Sequence, residues 1–510
     1  MRSFFKYFFW LLSSGTLVIF YFLNTYAGHQ NLVYLLENFL SKKTYNKIKV
    51  HSLNIEKYPY LEMQLQVNDT AEVMLKGEVN KYNIDMYYHL VGDSFQFNSF
   101  KIEDKVDLEG DLSGAFSSLM VRGDGQAFEG NVNYEFIKIP TKIKEMNIIM
   151  RAVSGQKVLK FLKQEPHVVG SVDIDARFKF FSKYEKEGQT KIYMKKAFMP
   201  KVAPDVPFML NATIDFKNIE YKYTGDIQSD IGTLVVTEGI YHKTKKVVSA
   251  NYKLHLKELA YFENFLKHKY KGGLNTRGSV HYDNGLEVKG NTDKFGGELA
   301  YVYKKEKIDL KLKAVSLEHL LNQFSYPVLF TSKVYGDINY EMKDKILLIN
   351  TDLKETRFRQ TKLTNMLYTT TGIDMLSEVY NKSTFSGGYQ NSVLSSILKI
   401  DNGKDHIYLT DTKMNSINNK VNAKFEIKMQ GQELYGDIYG TLQDPKVSVD
   451  MKRLLKYQMN KQLGSWLGTE KKEAITKELR DVQKDMSEKL ENLDVDDVTN
   501  GAKSLMNSFF

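Results

Sequence analysis

The sequence predicts a mainly β protein with short helices: an N-terminal transmembrane helix, an elongated curved antiparallel β-sheet forming a groove, and a helical C-terminal tail. Three observations lead there. Apolar and polar residues alternate with a period of two from about Lys47 to Asp450, the signature of strands with one dry and one wet face. Aromatics make up 13% of the chain, nearly all Tyr and Phe, which favour strands, while only 8 prolines interrupt them. The two ends of the chain depart from that period in different ways.

Totals narrow the function classes. The net charge of +9 is modest for 510 residues and spread along them. There is no dense Lys/Arg block of the kind that tracks phosphates, so nucleic acid is not expected as a partner. The absence of cysteine excludes disulfides, zinc-thiolate sites and Cys nucleophiles, and it is compatible with an oxidising compartment.

The first element is residues 1–27, a membrane anchor. Arg2 and Lys6 precede an uncharged run from Tyr7 to Leu23, with Trp10 and Tyr26 placed for the two interfaces. Basic residues ahead of the run put the N-terminus in the cytoplasm and the bulk of the chain on the far side of the membrane. The alternative is a signal peptide cleaved after Thr25-Tyr26-Ala27. Phe and Tyr crowd the run up to that point, which favours a retained anchor. Residues 28–46 come next as an amphipathic helix with Leu32, Leu35, Leu36, Phe39 and Leu40 on one stripe. Three placements are open to it: on the outer leaflet, capping the first strands, or in the core.

The body, residues 47–450, is strands. Leu61, Met63, Leu65 and Val67 share a face. So do Ile308, Leu310 and Leu312, opposite Asp309, Lys311 and Lys313, and so do Phe425, Ile427 and Met429, opposite Lys424, Glu426 and Lys428. Short amphipathic helices interrupt the strands at Val158-Phe161-Leu162, Leu259-Phe262-Leu266 and Leu317-Leu320-Leu321-Phe324. Each is followed by a strand led by Gly170, Gly278 or Gly336, so a loose module recurs and the body reads as one repetitive sheet.

No catalytic constellation emerges, and neither an enzyme activity, a metal nor a cofactor is expected. The histidines are scattered, and the phosphate, dinucleotide and nucleophile-elbow motifs are absent. Asp173 and Asp175 share a strand face but read as a solvated pair, and Asp494, Asp496 and Asp497 read as a polar break between helices. The stretches NDT, NAT and NKS fit the glycosylation pattern and nothing else supports it.

A sheet with one apolar face must cover it. Two sheets covering each other give a dry sandwich. A single sheet rolled into a groove leaves an apolar lining that suits a ligand with long apolar chains, at about 0.8 kcal/mol per buried methylene. Phospholipid acyl chains fit that description, and the ten apolar residues named above are the candidates to line the groove.

The closing part of the body carries a resemblance. Phe385-Ser386-Gly387-Gly388, the strands from Leu398 to Tyr408, and a final strand with Gly440, Leu442, Pro445 and Val447 are similar to the terminal module, here about 360–450, of the AsmA-like family of Gram-negative envelopes. Asn418-Asn419 stand where that family usually has glycines. Asn tolerates left-handed turns. The resemblance implies a single-pass inner-membrane protein projecting into the periplasm, with a β-groove implicated in moving phospholipids toward the outer membrane. It implies no catalytic residues. The alternative within the same resemblance is a non-enzymatic scaffold for assembling outer-membrane proteins.

Residues 451–510 form the tail. Met451, Leu454, Leu455, Met459, Leu463 and Leu467 make one helical stripe, and Ile475, Leu479, Val482, Met486 and Leu493 make a near-heptad seam. Such a seam expects packing against a neighbour, within the chain or on an envelope or outer-membrane partner.

Overall fold

The computed structural model describes residues 26–97, 100–263, 270–323, 328–360, 364–365, 368, 374–441, 445–450 and 453. Residues 1–25 of the expected anchor, Leu442, and the tail apart from Arg453 lie outside them, while Tyr26 and Ala27 open the first described helix. Among the described residues no helix is long and apolar enough to cross a membrane. The chain divides into two compact units, Met1–Leu256 with Tyr261–His268, and Lys257–Ala260 with Lys269–Phe510.

The first unit opens with α1 (Tyr26–Thr44), then β1 (Ile48–Lys57), β2 (Tyr60–Val67), β3 (Ala71–Val79) and β4 (Asn83–Gly92). A two-stranded ribbon, β5 (Phe95–Phe97) and β6 (Phe100–Ile102), precedes β7 (Val106–Ala115), β8 (Ser118–Ala127), β9 (Gly130–Lys138) and β10 (Ile143–Ser154). After α2 (Gly155–Phe161) come β11 (Val169–Phe181), β12 (Lys186–Met199), β13 (Ala203–Lys217), β14 (Glu220–Ser229), β15 (Gly232–His242) and β16 (Val247–Leu256). Apart from the ribbon, these fourteen strands pair antiparallel in chain order, β4 passing directly to β7.

The second unit holds β17 (Leu274–Tyr282), β18 (Leu286–Thr292), β19 (Glu298–Lys304), β20 (Lys307–Ser316), α3 (Leu317–Gln323), β21 (Phe330–Glu341) and β22 (Ile346–Phe358). It continues with β23 (Ser383–Gln390), β24 (Val393–Asp401), β25 (His406–Asn415), β26 (Lys420–Met429), β27 (Gln432–Thr441) and β28 (Pro445–Val449). These twelve also pair antiparallel in chain order. Among the described residues β1 pairs only with β2 and β28 only with β27, so neither meander closes into a barrel. The expected mainly β, antiparallel architecture is therefore present.

Helix α1 caps the first strand. An edge strand leaves every second N–H without a ladder partner. Here Val50 N–H donates to Glu37 Oε1 at 2.7 Å and Ile48 N–H to Ser41 Oγ at 3.1 Å. Val33 and Leu40 pack on Ile48, Val50 and Leu65. This is the capping placement of the three that the sequence left open. Leu35 and Phe39, assigned by periodicity to the same stripe, stay 53% and 58% exposed.

Sharp irregularities punctuate the strands. Glu145, Ala152, Ala314 and Asp411 have left-handed φ of 50 to 56° where the pairing register shifts by a residue. Such bulges add local twist. Two of them, Ala152 and Ala314, stand just ahead of α2 and α3, at Val158-Phe161 and Leu317-Leu320 where the sequence places helices. Of the third expected helix, the described residues show a 3-10 turn, Leu259–Phe262, followed by a helical Glu263, and Leu266 lies outside them.

The buried cores sit beneath those short helices. In the first unit Val106, Val132, Val153, Val172 and Met194 pack with Val158 and Phe161 of α2 and with Ile102 of the ribbon. In the second, Phe295, Leu312, Val315, Val334 and Leu353 pack with Leu317 and Leu320 of α3. A further cluster joins Met375, Tyr380, Ile400, Ile407 and Met429.

Candidate functional site: the apolar face of each sheet

Directly opposed residues of antiparallel strands project to the same face. Following partner to partner therefore traces rows across a sheet. In the first unit one row reads Val50, Leu65, Val73, Leu90, Leu108, Gly125 and Val132. It continues through Met150, Ile174, Ile192, Ala212, Gly225, Val236 and Tyr252. All fourteen strands contribute, and none contributes a charge. At about 4.8 Å per strand the row is roughly 60 Å long measured along the ladder.

The neighbouring row passes through Met63, Leu75, Tyr88, Gly110, Gly123 and Tyr134, then Ile148, Ala176, Thr190, Ile214 and Tyr223. Here aromatic rings lie beside glycines. Tyr88 and Tyr134 share a hydrogen bond through their hydroxyls above Gly123, whose added Cβ would meet those oxygens at 2.3 and 2.8 Å. Burial pushes both phenols up from their ordinary pKa. Phe178 covers Gly188 and Tyr223 covers Gly239 in the same manner. A ring that fills the gap over a glycine lies along the sheet instead of standing across it, and glycine lets the strands bend.

The second unit repeats the pattern. One row runs Val280, Val288, Tyr303, Ile308, Tyr340 and Leu347, then Tyr389, Leu394, Met414, Val421, Gly440 and Pro445. From Val280 to Gly440 every member is half-buried and none is fully covered. Beside it, Tyr301, Leu310, Ile338 and Ile349 continue the apolar lining.

The ten residues expected to line a groove thus fall on the apolar faces, but in two groups. Leu65, Val67, Leu312 and Met429 are 8, 5, 5 and 0% exposed and belong to packed cores. Leu61, Met63, Ile308, Leu310, Phe425 and Ile427 are half-buried and present apolar surface. Of the four signature residues, Gly440 and Pro445 are partners across the last pairing and Val447 opposes Ile438. Gly440 has a φ of 107°. Asn419 takes the left-handed φ of 55° that the glycine-less turn needs.

The opposite faces are ionic. Arg122 pairs with Glu135 at 2.9 Å, and Tyr87 donates to Glu109 at 2.5 Å, which pushes its phenol up to about 12. A cleft of about 590 Å³ lies on this polar face, lined by Arg151, Asp173, Asp175, Lys191, Tyr193 and Asn211 among others. Both carboxylates singled out in the sequence are engaged there: Asp175 pairs with Arg151 at 2.5 Å, and Asp173 Oδ1 accepts the N–H of the bulge residue Ala152 at 2.7 Å. Among the described residues no cluster of three metal-ligating side chains occurs.

Sequence reasoning found the faces but not the rows. Thr190, Gly110 and Gly123 carry no apolar signal, and only the register shows that they continue the lining. Compared with known proteins, the chain matches no family model, no curated protein and no solved structure.

Proposed function

We propose that the chain is an inner-membrane-anchored, periplasmic protein of the AsmA-like kind that binds phospholipid acyl chains on its apolar sheet faces and passes them along, supporting outer-membrane lipid homeostasis. The single observation that carries this reading is the half-buried row from Val280 to Gly440: apolar side chains on ten consecutive strands and a glycine on the eleventh, with none fully covered. Water is a poor neighbour for such a surface, at roughly 25 cal/mol per Å². An acyl chain lying along the row covers it, and because every strand offers nearly the same apolar contact, no position holds the chain strongly against its neighbour. Movement is then passive and needs no chemistry, while headgroups stay in water.

The alternative, a scaffold for outer-membrane proteins, expects a closed dry core, and the half-buried rows favour the lipid reading over it. Mass spectrometry of lipids extracted from the purified full chain tests the proposal. Bound phospholipid in the wild type, reduced in Leu310→Asp and Ile338→Asp but not in Lys311→Glu, is the expected result. Absence of phospholipid from the wild type would reject it.

A further inference from the structure

In a meander, alternate hairpins share an edge. In the first unit one edge therefore collects seven tips: residues 58–59, 80–82, 116–117, 139–142, 182–185, 218–219 and 243–246. Five of them expose a large apolar side chain: Tyr58 (66%), Tyr82 (69%), Phe116 (55%), Tyr184 (83%) and Ile219 (46%). The five lie within two residues of one another in distance along their strands. Measured from the row that crosses Met63, Tyr88, Gly110, Thr190 and Tyr223, they lie five, six, six, six and four residues out.

The same tips are basic. They carry Lys81, Lys142, Lys183, Lys243, Lys245 and Lys246 against a single carboxylate, Glu185, which pairs with Lys142 at 2.6 Å. At two tips a lysine and a tyrosine form a unit, with Lys81 Nζ 5.5 Å from the Tyr82 ring centre and Lys183 Nζ 5.5 Å from that of Tyr184. The other edge differs. Its connections carry Asp69, Asp93, Glu103, Asp104, Glu129, Glu165 and Asp230 against Lys101, Lys105, Lys157, Lys160, Lys163 and Lys201, so the charges nearly cancel, with Lys157 held by Asp104 and Glu129. Its hairpin phenylalanine, Phe128, is 6% exposed, and its exposed apolar side chain, Leu162, stands in the connection after α2.

We infer that the hairpin-tip edge of the first unit docks on an anionic phospholipid bilayer surface. Tyrosine and lysine together suit the headgroup layer, the ring at the apolar boundary and the ammonium among phosphates. A protein partner would instead need a contiguous apolar patch. These apolar side chains stand singly, about 10 Å apart from one hairpin to the next, with lysines between them. The inference does not depend on what the apolar face of the sheet carries.

The chain has no cysteine, so single-cysteine variants of the full chain report one position each. Phe116→Cys and Tyr184→Cys place a nitrobenzoxadiazole label on the tips, and Asp69→Cys and Asp230→Cys place it on the other edge. On vesicles of phosphatidylglycerol with phosphatidylcholine, tip labels should shift to the blue and brighten severalfold, and the other two should not. Reversing charge at Lys243, Lys245 and Lys246 to Glu should cut the tip-label shift severalfold at unchanged circular dichroism, a readout that an inserted anchor does not mask. Tip labels that stay unmoved, equal response from both edges, or an equal tip-label shift on phosphatidylcholine alone would overturn the inference. Absence of co-purified lipid would count against the proposed function and leave this result standing.

Discussion

Val153 and Val315 hold the same position in two copies of one local device. Each is fully buried, each follows an alanine in the left-handed region, and each precedes a serine and a short helix. Each also pairs with the valine nineteen residues on, Val172 and Val334. The serine N–H closes both devices onto a buried phenylalanine of the preceding turn, Ser154 to the carbonyl of Phe128 at 2.7 Å and Ser316 to that of Phe295 at 2.8 Å. Truncating either valine to Ala removes two methyl groups from a packed site. It should destabilise its own unit by about 2 kcal/mol, read as a lower urea midpoint.

The alanines ahead of those valines predict the opposite sign. A left-handed Ala carries roughly 1–2 kcal/mol of strain. Glycine would cost only about 0.5–1 kcal/mol in chain entropy. Ala152→Gly and Ala314→Gly should therefore stabilise by about 0.5–1 kcal/mol, and a lowered urea midpoint would contradict the bulge geometry.

Gly123 is tied to Tyr88 and Tyr134. A methyl group there meets both hydroxyls and also the Glu109 carbonyl at 2.6 Å, and backbone cannot swing away as a side chain can. Gly123→Ala should cost about 1–3 kcal/mol. Gly225→Ala, whose nearest neighbour is 3.0 Å away, should cost less in the same urea titration.

Acid should unload one ion triad. Hydrogen bonds from Lys289 and Lys304, each 2.5 Å away, hold the Glu287 carboxyl down at about 2. Its folded pKa is below the unfolded value, so the contribution is present above pH 4.5 and disappears as pH falls toward 2. Glu287→Gln should flatten the stability profile across that window. An identical profile in wild type and variant would remove the triad from the account.

Leu310 and Leu312 separate binding from packing. Both face the apolar side, but Leu312 is buried and Leu310 half-buried. Leu312→Asp should unfold the second unit. Leu310→Asp should keep its circular dichroism and lose bound lipid, and Lys311→Glu on the far face should change neither.

The alternation in stretches such as Ile308-Asp309-Leu310-Lys311-Leu312 made the strands and their dry face legible, because each residue's side is set by its place in the chain. Burial was not legible in the same way, since it depends on what lies across the strand: Leu312 sits with α3 above it and Leu310 does not. The bulges were hidden for another reason. Nothing in Ala152-Val153-Ser154 announces a positive φ as glycine would, although its recurrence as Ala314-Val315-Ser316 was there to be noticed. The aligned tips were equally hidden, because Tyr58, Tyr82 and Tyr184 become neighbours along an edge only once consecutive hairpins are counted.

Pairing in chain order also shapes how each unit is reached from the unfolded chain. Almost every ladder joins strands a few residues apart, so the loop entropy of each closure is small and the mean sequence separation of contacts is low for an all-β protein. The two long detours among the fourteen strands, from β4 to β7 and from β10 to β11, are spanned by a ribbon that folds on itself and by a connection that carries α2. Each hairpin can therefore zip onto the growing edge before later strands exist, and assembly can proceed in chain order without waiting for the C-terminus.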